Sequence, residues 1–142
     1  MLKVKTNIAE VRRKIRQYEK KVYKEVEKMK SDTAKDIASK AKANCSMVSI
    51  SGTIRVDTEG TKRIISAGVG LQDPDIAAYM EFGTGNFAKA RVAGLPEDWS
   101  EYAMTFYKNG LGMLPANPYL YPAYWSVLYQ LEKTGEKRLN SV

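Results

Sequence analysis

The sequence predicts a single α+β domain over residues 1–142, with a long N-terminal helix, an antiparallel β-sheet built on a hairpin, a short central helix and a C-terminal helix. Apolar residues recur at spacings of three and four from Asn7 to Asn44, which is the period of an amphipathic helix. The spacing changes to two from Met47 to Val69, as in a half-buried strand. With 142 residues, 44% of them apolar, the chain can form one packed core.

The first segment, residues 1–44, is predicted to be one long basic helix. No proline or glycine interrupts it, and it would be on the order of 55 Å long. Because that length exceeds one face of a domain of this size, we expect part of the helix to pack on a neighbouring subunit. A coiled coil is not favoured, since the repeating apolar positions hold few leucines. The apolar stripe consists of Ile8, Val11, Ile15, Tyr18, Val22, Val26, Met29, Ile37 and Ala41.

Residues 47–84 are predicted to form a hairpin followed by a short helix. The turn of the hairpin is Asp57–Thr61, where Gly60 supplies the positive φ angle that a tight turn requires. Gly52 indicates either a bulge in the first strand or the point where that strand begins. The apolar residues of the two strands are Val48, Ile50, Ile54 and Val56, then Ile64, Ile65, Ala67 and Val69.

The short helix is expected to begin at Asp73-Pro74 and to end at about Phe82. Proline is favoured in a first helical turn, and Gly83 favours a helix end. Glu81 lies near the C-terminal end of this helix, where the helix dipole disfavours a carboxylate. We therefore expect an Arg or Lys from the hairpin or from a neighbouring subunit to stabilise Glu81.

Residues 85–117 are predicted to be an irregular loop or insertion, apart from a helix over Glu97–Lys108. The last segment, residues 118–142, is predicted to be a helix that begins at Tyr119 or Pro122. Aromatic residues crowd its start, and they can be either core and interface anchors or a surface on which peptides or bases stack. These aromatic residues are Tyr119, Tyr121, Tyr124 and Trp125.

The positive charge is concentrated at the N-terminus. Residues 1–42 carry 14 Lys and Arg against 6 Asp and Glu, a net of +8, whereas the remaining 100 residues carry 9 against 10. Such asymmetry indicates contact with DNA or with an acidic neighbouring protein, although a solvated helix face has the same composition. The lysines that can share one face toward DNA are Lys14, Lys21, Lys24, Lys28 and Lys35.

The composition argues against an enzyme. The chain has no histidine and one cysteine, Cys45, so the commonest general base and the usual zinc ligands are missing. Glu81 has no visible partner base or nucleophile, and Gly83-Thr84-Gly85 lacks the lysine of a phosphate loop. We predict no catalytic, cofactor-binding or metal-binding residues. No apolar run suits a bilayer, no signal peptide is predicted, and synthesis in a cytoplasm is expected.

Three blocks of sequence carry a resemblance to a known family. Ile37–Ala43 runs into Ser51–Arg55 and is similar to an "AK, turn, TG-x-L-R" pattern. Ala77–Thr84 is similar to "YA-x-x-x-E-x-G-T", and Pro118–Ala123 is similar to "P-F-L-x-P-A". In this order the blocks resemble minor tail components of tailed bacteriophages, the tail-completion or head–tail joining proteins of siphophages and prophages.

The resemblance implies a virion structural protein of the neck or tail that is made in the bacterial host cytoplasm and has no catalytic activity. It implies a ring of copies, six by analogy with the tail, in contact with tail-tube, tail-terminator or head-closure proteins and with phage DNA passing through it. A basic nucleic-acid-binding module, acting through the N-terminal helix, is the alternative. The residues implied in structure or interfaces are Glu81, Gly83, Thr84, Arg55, Pro118, Tyr119, Leu120 and Pro122.

Overall fold

The computed structural model of the protein describes residues 7–92, 94–104 and 112–142. The fold is α+β, as predicted, with a long N-terminal helix, a two-stranded antiparallel sheet, short central helices and a C-terminal helix. In chain order the elements are α1 (Ile8–Asn44), α2 (Val48–Ser51), β1 (Arg55–Glu59), β2 (Lys62–Ser66), α3 (Ile76–Phe82), α4 (Gly85–Val92), α5 (Glu97–Met104) and α6 (Leu120–Asn140).

The helix α1 is continuous over 37 residues. The side chain of Asn7 caps it by accepting a hydrogen bond from the backbone N–H of Glu10, at 3.2 Å. The chain turns extended at Cys45, where the helix ends. The predicted bounds of this helix, Asn7–Asn44, are therefore correct to within one residue.

The hairpin is shorter than predicted, because the first part of its expected first strand is helical. Residues Val48–Ser51 form the single helical turn α2, with a hydrogen bond from the Gly52 N–H to the Val48 carbonyl. Ile50 and Ile54 both face the core. Residues four apart share a face in a strand as well as in a helix, so this spacing could not separate the two. The strands pair from Arg55 with Ser66 to Glu59 with Lys62, and Gly60 has the expected positive φ of 56°.

The C-terminal helix α6 packs antiparallel along α1. Its first half lies beside Lys40, whose Nζ is 3.2 Å from the Ser126 hydroxyl. Near its end, Arg138 reaches Glu25 at 2.8 Å and Asp32 at 3.1 Å. The 21 residues of α6 cover α1 only as far as Glu25.

The part of α1 that extends beyond α6, Ile8–Lys24, is called the arm below. Every residue of the arm is exposed except Val22, which is half-buried. Among the described residues, none of the helices combines the length with the apolar composition that a transmembrane span requires.

The core lies where α1, α2, α3 and α6 meet beneath the hairpin. Small side chains on the helices, among them Ala41, Ala77 and Ala123, allow the helices to approach closely. Each of these alanines is buried. The buried members of this core are Ile37, Ala38, Ala41, Ile50, Ile54, Ala77, Met80, Tyr119, Ala123 and Val127.

The segment predicted as an irregular loop contains two helices, α4 and α5. We predicted a helix from Glu97, and α5 does begin there, but the last four residues of the predicted helix, 105–108, lie outside the described residues. The helix α4 was missed because its sequence, GNFAKARV, has no repeated apolar face. Packing supports the segment, since Ala103 and Trp99 form a second small core with Phe82.

Candidate functional site

The carboxylate of Glu81 lies at the junction of α3 and α6. Its side chain is 3% exposed. One oxygen, Oε2, accepts hydrogen bonds from the backbone N–H groups of Tyr119 and Leu120, both at 2.8 Å, and Oε1 accepts from Tyr121 at 2.9 Å. These donors open α6, where backbone N–H groups have no partner inside the helix. We call this arrangement the α3–α6 joint.

The joint corrects the expectation that an Arg or Lys stabilises Glu81. The positive end of the α6 dipole and its free N–H groups provide that stabilisation instead. Within the described residues, no Lys or Arg forms an ion pair with Glu81. A carboxylate at the unfavourable end of one helix is thus placed at the favourable end of another.

The joint replaces a local cap on α6. Tyr119 occupies the N-cap position, where its side chain makes no capping hydrogen bond. The Tyr119 hydroxyl instead donates to the Ala77 carbonyl on α3, at 3.0 Å. The two helices are therefore held together by Glu81 reaching toward α6 and by Tyr119 reaching back toward α3.

Gly83 and Thr84 contact the residues that lie just before α6. Gly83 ends α3 with a φ of 76° and a ψ of −174°, and its N–H donates to the Tyr79 carbonyl at 2.7 Å. A Cβ at this position would lie 2.8 Å from the Ala116 nitrogen and 2.9 Å from the Leu114 carbonyl oxygen. Thr84 and Leu114 bond twice, since the Thr84 N–H donates to the Leu114 carbonyl and the Leu114 N–H donates to Thr84 Oγ1, each at 2.9 Å.

The remaining residues of the predicted set lie around this joint or at the surface. Leu120 and Pro118 are half-buried beside it, whereas Pro122 is exposed in the first turn of α6. Arg55 is also exposed, and its Nε contacts Asp57 Oδ2 on the same strand at 3.0 Å. The structure therefore brings Glu81, Gly83, Thr84, Tyr119 and Leu120 together and leaves Arg55 on the hairpin.

An aromatic cluster links α5 to α6, and sequence reasoning missed its centre. The Trp99 ring lies 5.2 Å from Tyr121, 6.0 Å from Tyr124 and 6.2 Å from Phe82, measured between ring centroids. Trp125 continues the cluster outward, 5.6 Å from Tyr124, and is 45% exposed. The aromatic block at the start of α6 is therefore part core and part open surface.

The chemistry available at the joint is structural. Both carboxylate oxygens of Glu81 are occupied by backbone donors, so the group fixes two helices in one arrangement. Among the described residues, no group of three or more His, Cys, Asp and Glu side chains is placed to hold a metal ion.

The arm carries charge and apolar surface on different sides. The five lysines predicted to face DNA are all exposed, and Lys14 also contacts Glu10 at 3.3 Å. A second basic row was missed: Arg12, Arg13, Arg16 and Lys20 line one surface depression without an acidic side chain. Arg13, Arg16 and Lys20 recur at spacings of three and four, and Arg12 lies four before Arg16, which is the signal that could have identified the row.

No family model, curated protein or solved structure matches the chain. The observations that bear on function are therefore the three sequence blocks, the α3–α6 joint and the exposed surfaces of the arm and of α6.

Proposed function

We propose that the protein is a structural component of the neck of a tailed bacteriophage, where a ring of copies completes the tail or joins it to the head, without catalysis. The observation that carries this proposal is the Glu81 carboxylate. Glu81 belongs to the second of the three blocks, and its hydrogen-bond donors, Tyr119 to Tyr121, belong to the third. Two blocks that lie 38 residues apart thus form one structural unit.

The first block contributes to the same scaffold. The Thr53 hydroxyl donates to the Ile50 carbonyl and accepts from the Gly68 N–H, both at 2.7 Å. Ile50 and Ile54 on either side of it are fully buried. All three blocks therefore supply buried or hydrogen-bonded positions, which supports the view that their order reflects a shared fold rather than chance.

Exposed apolar side chains support assembly into a larger particle. Ile8, Val11, Ile15 and Tyr18 follow one side of the arm, and each is about half exposed. Trp125 adds a second exposed apolar region, on α6. Extended apolar surface on a small protein usually marks an interface with another protein. The partners proposed are further copies of the chain, in a ring of six, and adjacent tail-tube, tail-terminator or head-closure proteins in the virion.

Deleting the gene from its phage tests the proposal. We expect lysates in which filled heads and tails accumulate separately, because the ring that joins them is absent. Electron micrographs would count joined particles, and the gene supplied from a plasmid should restore them. A normal plaque yield from the deletion phage would exclude the neck function.

A second candidate, contact with nucleic acid through the arm, is favoured by the row Arg12, Arg13, Arg16 and Lys20. Contacts to phosphate need only cations on one side of a helix, and their affinity falls steeply with salt. This contact could occur with phage DNA inside the ring or in a module that acts alone. The affinity for generic duplex DNA, measured over a range of salt concentrations, tests this contact.

The matched variant for this candidate replaces Arg12, Arg16 and Lys20 with Gln. If the row contacts phosphates, the slope of log affinity against log salt should fall by about two to three, since each contact contributes about 0.9. An unchanged slope, or no binding at low salt, would exclude the row as a DNA contact. The control removes three exposed charges from the body of the protein: Lys89, Lys133 and Lys137.

A further inference from the structure

The apolar stripe of the arm is the uncovered continuation of a packed surface. Along the rest of α1, α6 covers the corresponding side, but α6 ends level with Glu25. The stripe from Ile8 to Val22 extends over about 21 Å at the rise of an α-helix. In proteins, most of the stability of a helix comes from the packing of its amphipathic face, and this part of the face is unpacked. The exposed members of the stripe are Ile8, Val11, Ile15 and Tyr18.

A groove of similar length lies on the body of the same chain. It runs between the second half of α1, strand β2 and α6, and its volume is about 670 Å³. From Tyr124 to Leu139 along α6 it spans about 22 Å. Its lining is mostly apolar, and we call it the α1–α6 groove. The side chains that would contact an occupant include Val26, Met29, Ile65, Leu128, Leu131 and Leu139.

The arm cannot occupy the groove of its own chain. Arm and groove wall belong to one continuous helix, α1, in which no proline or glycine allows a reversal. The arm therefore points away from the body along the direction of α1. An arm that fills a groove of this kind must come from another copy.

We propose that the arm of one copy lies in the α1–α6 groove of the next. The two surfaces are alike in length and in apolar character, and their charges are complementary. The arm carries seven Lys and Arg against two Asp and Glu. On α6, Glu132 directly follows the groove-lining Leu131, and Glu136 lies one helical turn further along; both are exposed, and neither forms an ion pair with another described residue. On the opposite rim, Lys30 and Arg63 are already paired with Glu27.

This contact joins different surfaces on the two copies. Such a head-to-tail interface repeats from copy to copy, and it closes into a ring when the rotation between neighbours divides a full turn. The inference deepens the proposed ring and rests on it for closure. It identifies the arm and the groove as the two halves of the subunit interface.

The test uses two variants of the full chain, each with one half of the interface removed. The arm variant carries Val11→Asp and Ile15→Asp, and the groove variant carries Leu128→Asp. A buried, unpaired carboxylate opposes association, so each variant should weaken self-association at least about a hundredfold. Sedimentation velocity should show oligomers of the wild type and monomers of either variant alone.

Mixing the two variants gives the decisive result. The arm variant retains an intact groove and the groove variant retains an intact arm, so an equal mixture should form one-to-one dimers and nothing larger. A mixture that stays monomeric, or a wild type that is monomeric throughout, would overturn the proposal. Pairing between two arms would give a different result, because the groove variant would then associate as the wild type does.

Two controls keep the outcome interpretable. Ser39→Asp adds a carboxylate to α1 at an exposed position outside both surfaces, and it should associate as the wild type does. If Leu128→Asp fails to fold, as judged by circular dichroism, the exposed pair Glu132→Lys and Glu136→Lys replaces it and should weaken association about tenfold. Unchanged association of that folded pair would also overturn the proposed contact.

The inference and the neck function can fail separately. Arm and groove variants that behave as expected, together with normal plaques from the deletion phage, would leave the interface standing without the neck function. A deletion phage whose heads and tails fail to join, together with arm and groove variants that assemble normally, would retain the neck function and refute this interface.

Discussion

The α3–α6 joint and the arm differ in whether their interaction partners lie within the same chain. At the joint, both oxygens of a buried carboxylate are paired with backbone N–H groups from 38 to 40 residues away. In the arm, Ile15 is 52% exposed, and the other residues from Ile8 to Lys24 are exposed as well, except the half-buried Val22. The difference separates residues that stabilise the monomer from residues available to a partner.

Stability and assembly should therefore respond to different substitutions. Changes at the joint should lower the free energy of unfolding of the monomer, whereas changes in the arm should leave it nearly unchanged.

Replacing Glu81 with Ala should lower the free energy of unfolding by about 4 kcal/mol, because it leaves three backbone donors at the start of α6 without their charged acceptor. Urea denaturation measured by circular dichroism gives this value. Glu81→Gln should fall between the wild type and the Ala variant, since one oxygen remains to accept.

The matched control is Glu136→Ala, which removes an exposed carboxylate from the same helix that Glu81 caps. Its effect should stay within about 0.5 kcal/mol. Equal effects at Glu81 and Glu136 would mean that the joint contributes nothing to stability.

The second comparison uses one residue type in two places. Ile50→Ala should cost about 3 kcal/mol, because Ile50 is 0% exposed and its removal leaves a cavity in the core. Ile15→Ala should change the free energy of unfolding by less than about 0.5 kcal/mol when measured on dilute monomer. A cost at Ile15 near that at Ile50 would show that the arm already packs within the monomer.

Two glycines with positive φ angles provide the third comparison. Gly83→Ala should cost about 2 to 3 kcal/mol, since its φ and ψ suit glycine almost exclusively and its new Cβ would meet backbone atoms at 2.8 and 2.9 Å. Gly60→Ala should cost only about 1 kcal/mol, because no heavy atom lies within 4 Å of its new Cβ. Thermal and urea unfolding would rank the two.

The ion pair between Glu27 and Arg63 should make a small, pH-dependent contribution to stability. A hydrogen bond from Lys30 lowers the pKa of Glu27 below its ordinary value of 4.5, burial opposes this shift, and Arg63 on the hairpin adds to it. A carboxyl group with a lowered pKa in the folded state stabilises the protein above its unfolded pKa, and this contribution is lost as pH falls through the folded value.

Glu27→Gln should therefore be less stable than the wild type near neutral pH. The difference between the two proteins should shrink as pH falls below 4.5 and through the lowered pKa of Glu27, and parallel urea titrations at each pH would measure it. A difference that stays constant with pH would mean that the charge of Glu27 does not hold α1 to the hairpin.

Local periodicity was sufficient to predict the fold class and α1. The spacing of apolar residues from Ile8 to Ala41 is unambiguous over many turns, and nothing in the sequence interrupts it. The same signal misled at Val48–Ser51, because four residues are too few to separate a helical turn from a strand. The helix α4 has no apolar face to detect, since its sequence alternates small, charged and apolar residues irregularly.

The partner of Glu81 could not be read from local sequence, because the contact crosses 38 residues. A weak signal was present. Neither of the predicted starts of α6, Tyr119 and Pro122, has a Ser, Thr, Asp or Asn directly before it in the capping position. A helix without a local cap needs an acceptor from elsewhere, and Glu81 was the carboxylate without an assigned partner. The neck function, the ring and the DNA contact stay predictions.

The paired hydrogen bonds between Thr84 and Leu114 have a consequence for how this chain tolerates change in length. They hold the two ends of the segment between them together, so residues added at an exposed connection inside the segment would leave those ends in place. Doubling the length of a closed loop costs only about 0.6 kcal/mol. A foreign epitope inserted at the exposed Gly94, between α4 and α5, should therefore leave the fold unchanged. Such an epitope would label the protein inside an assembled particle.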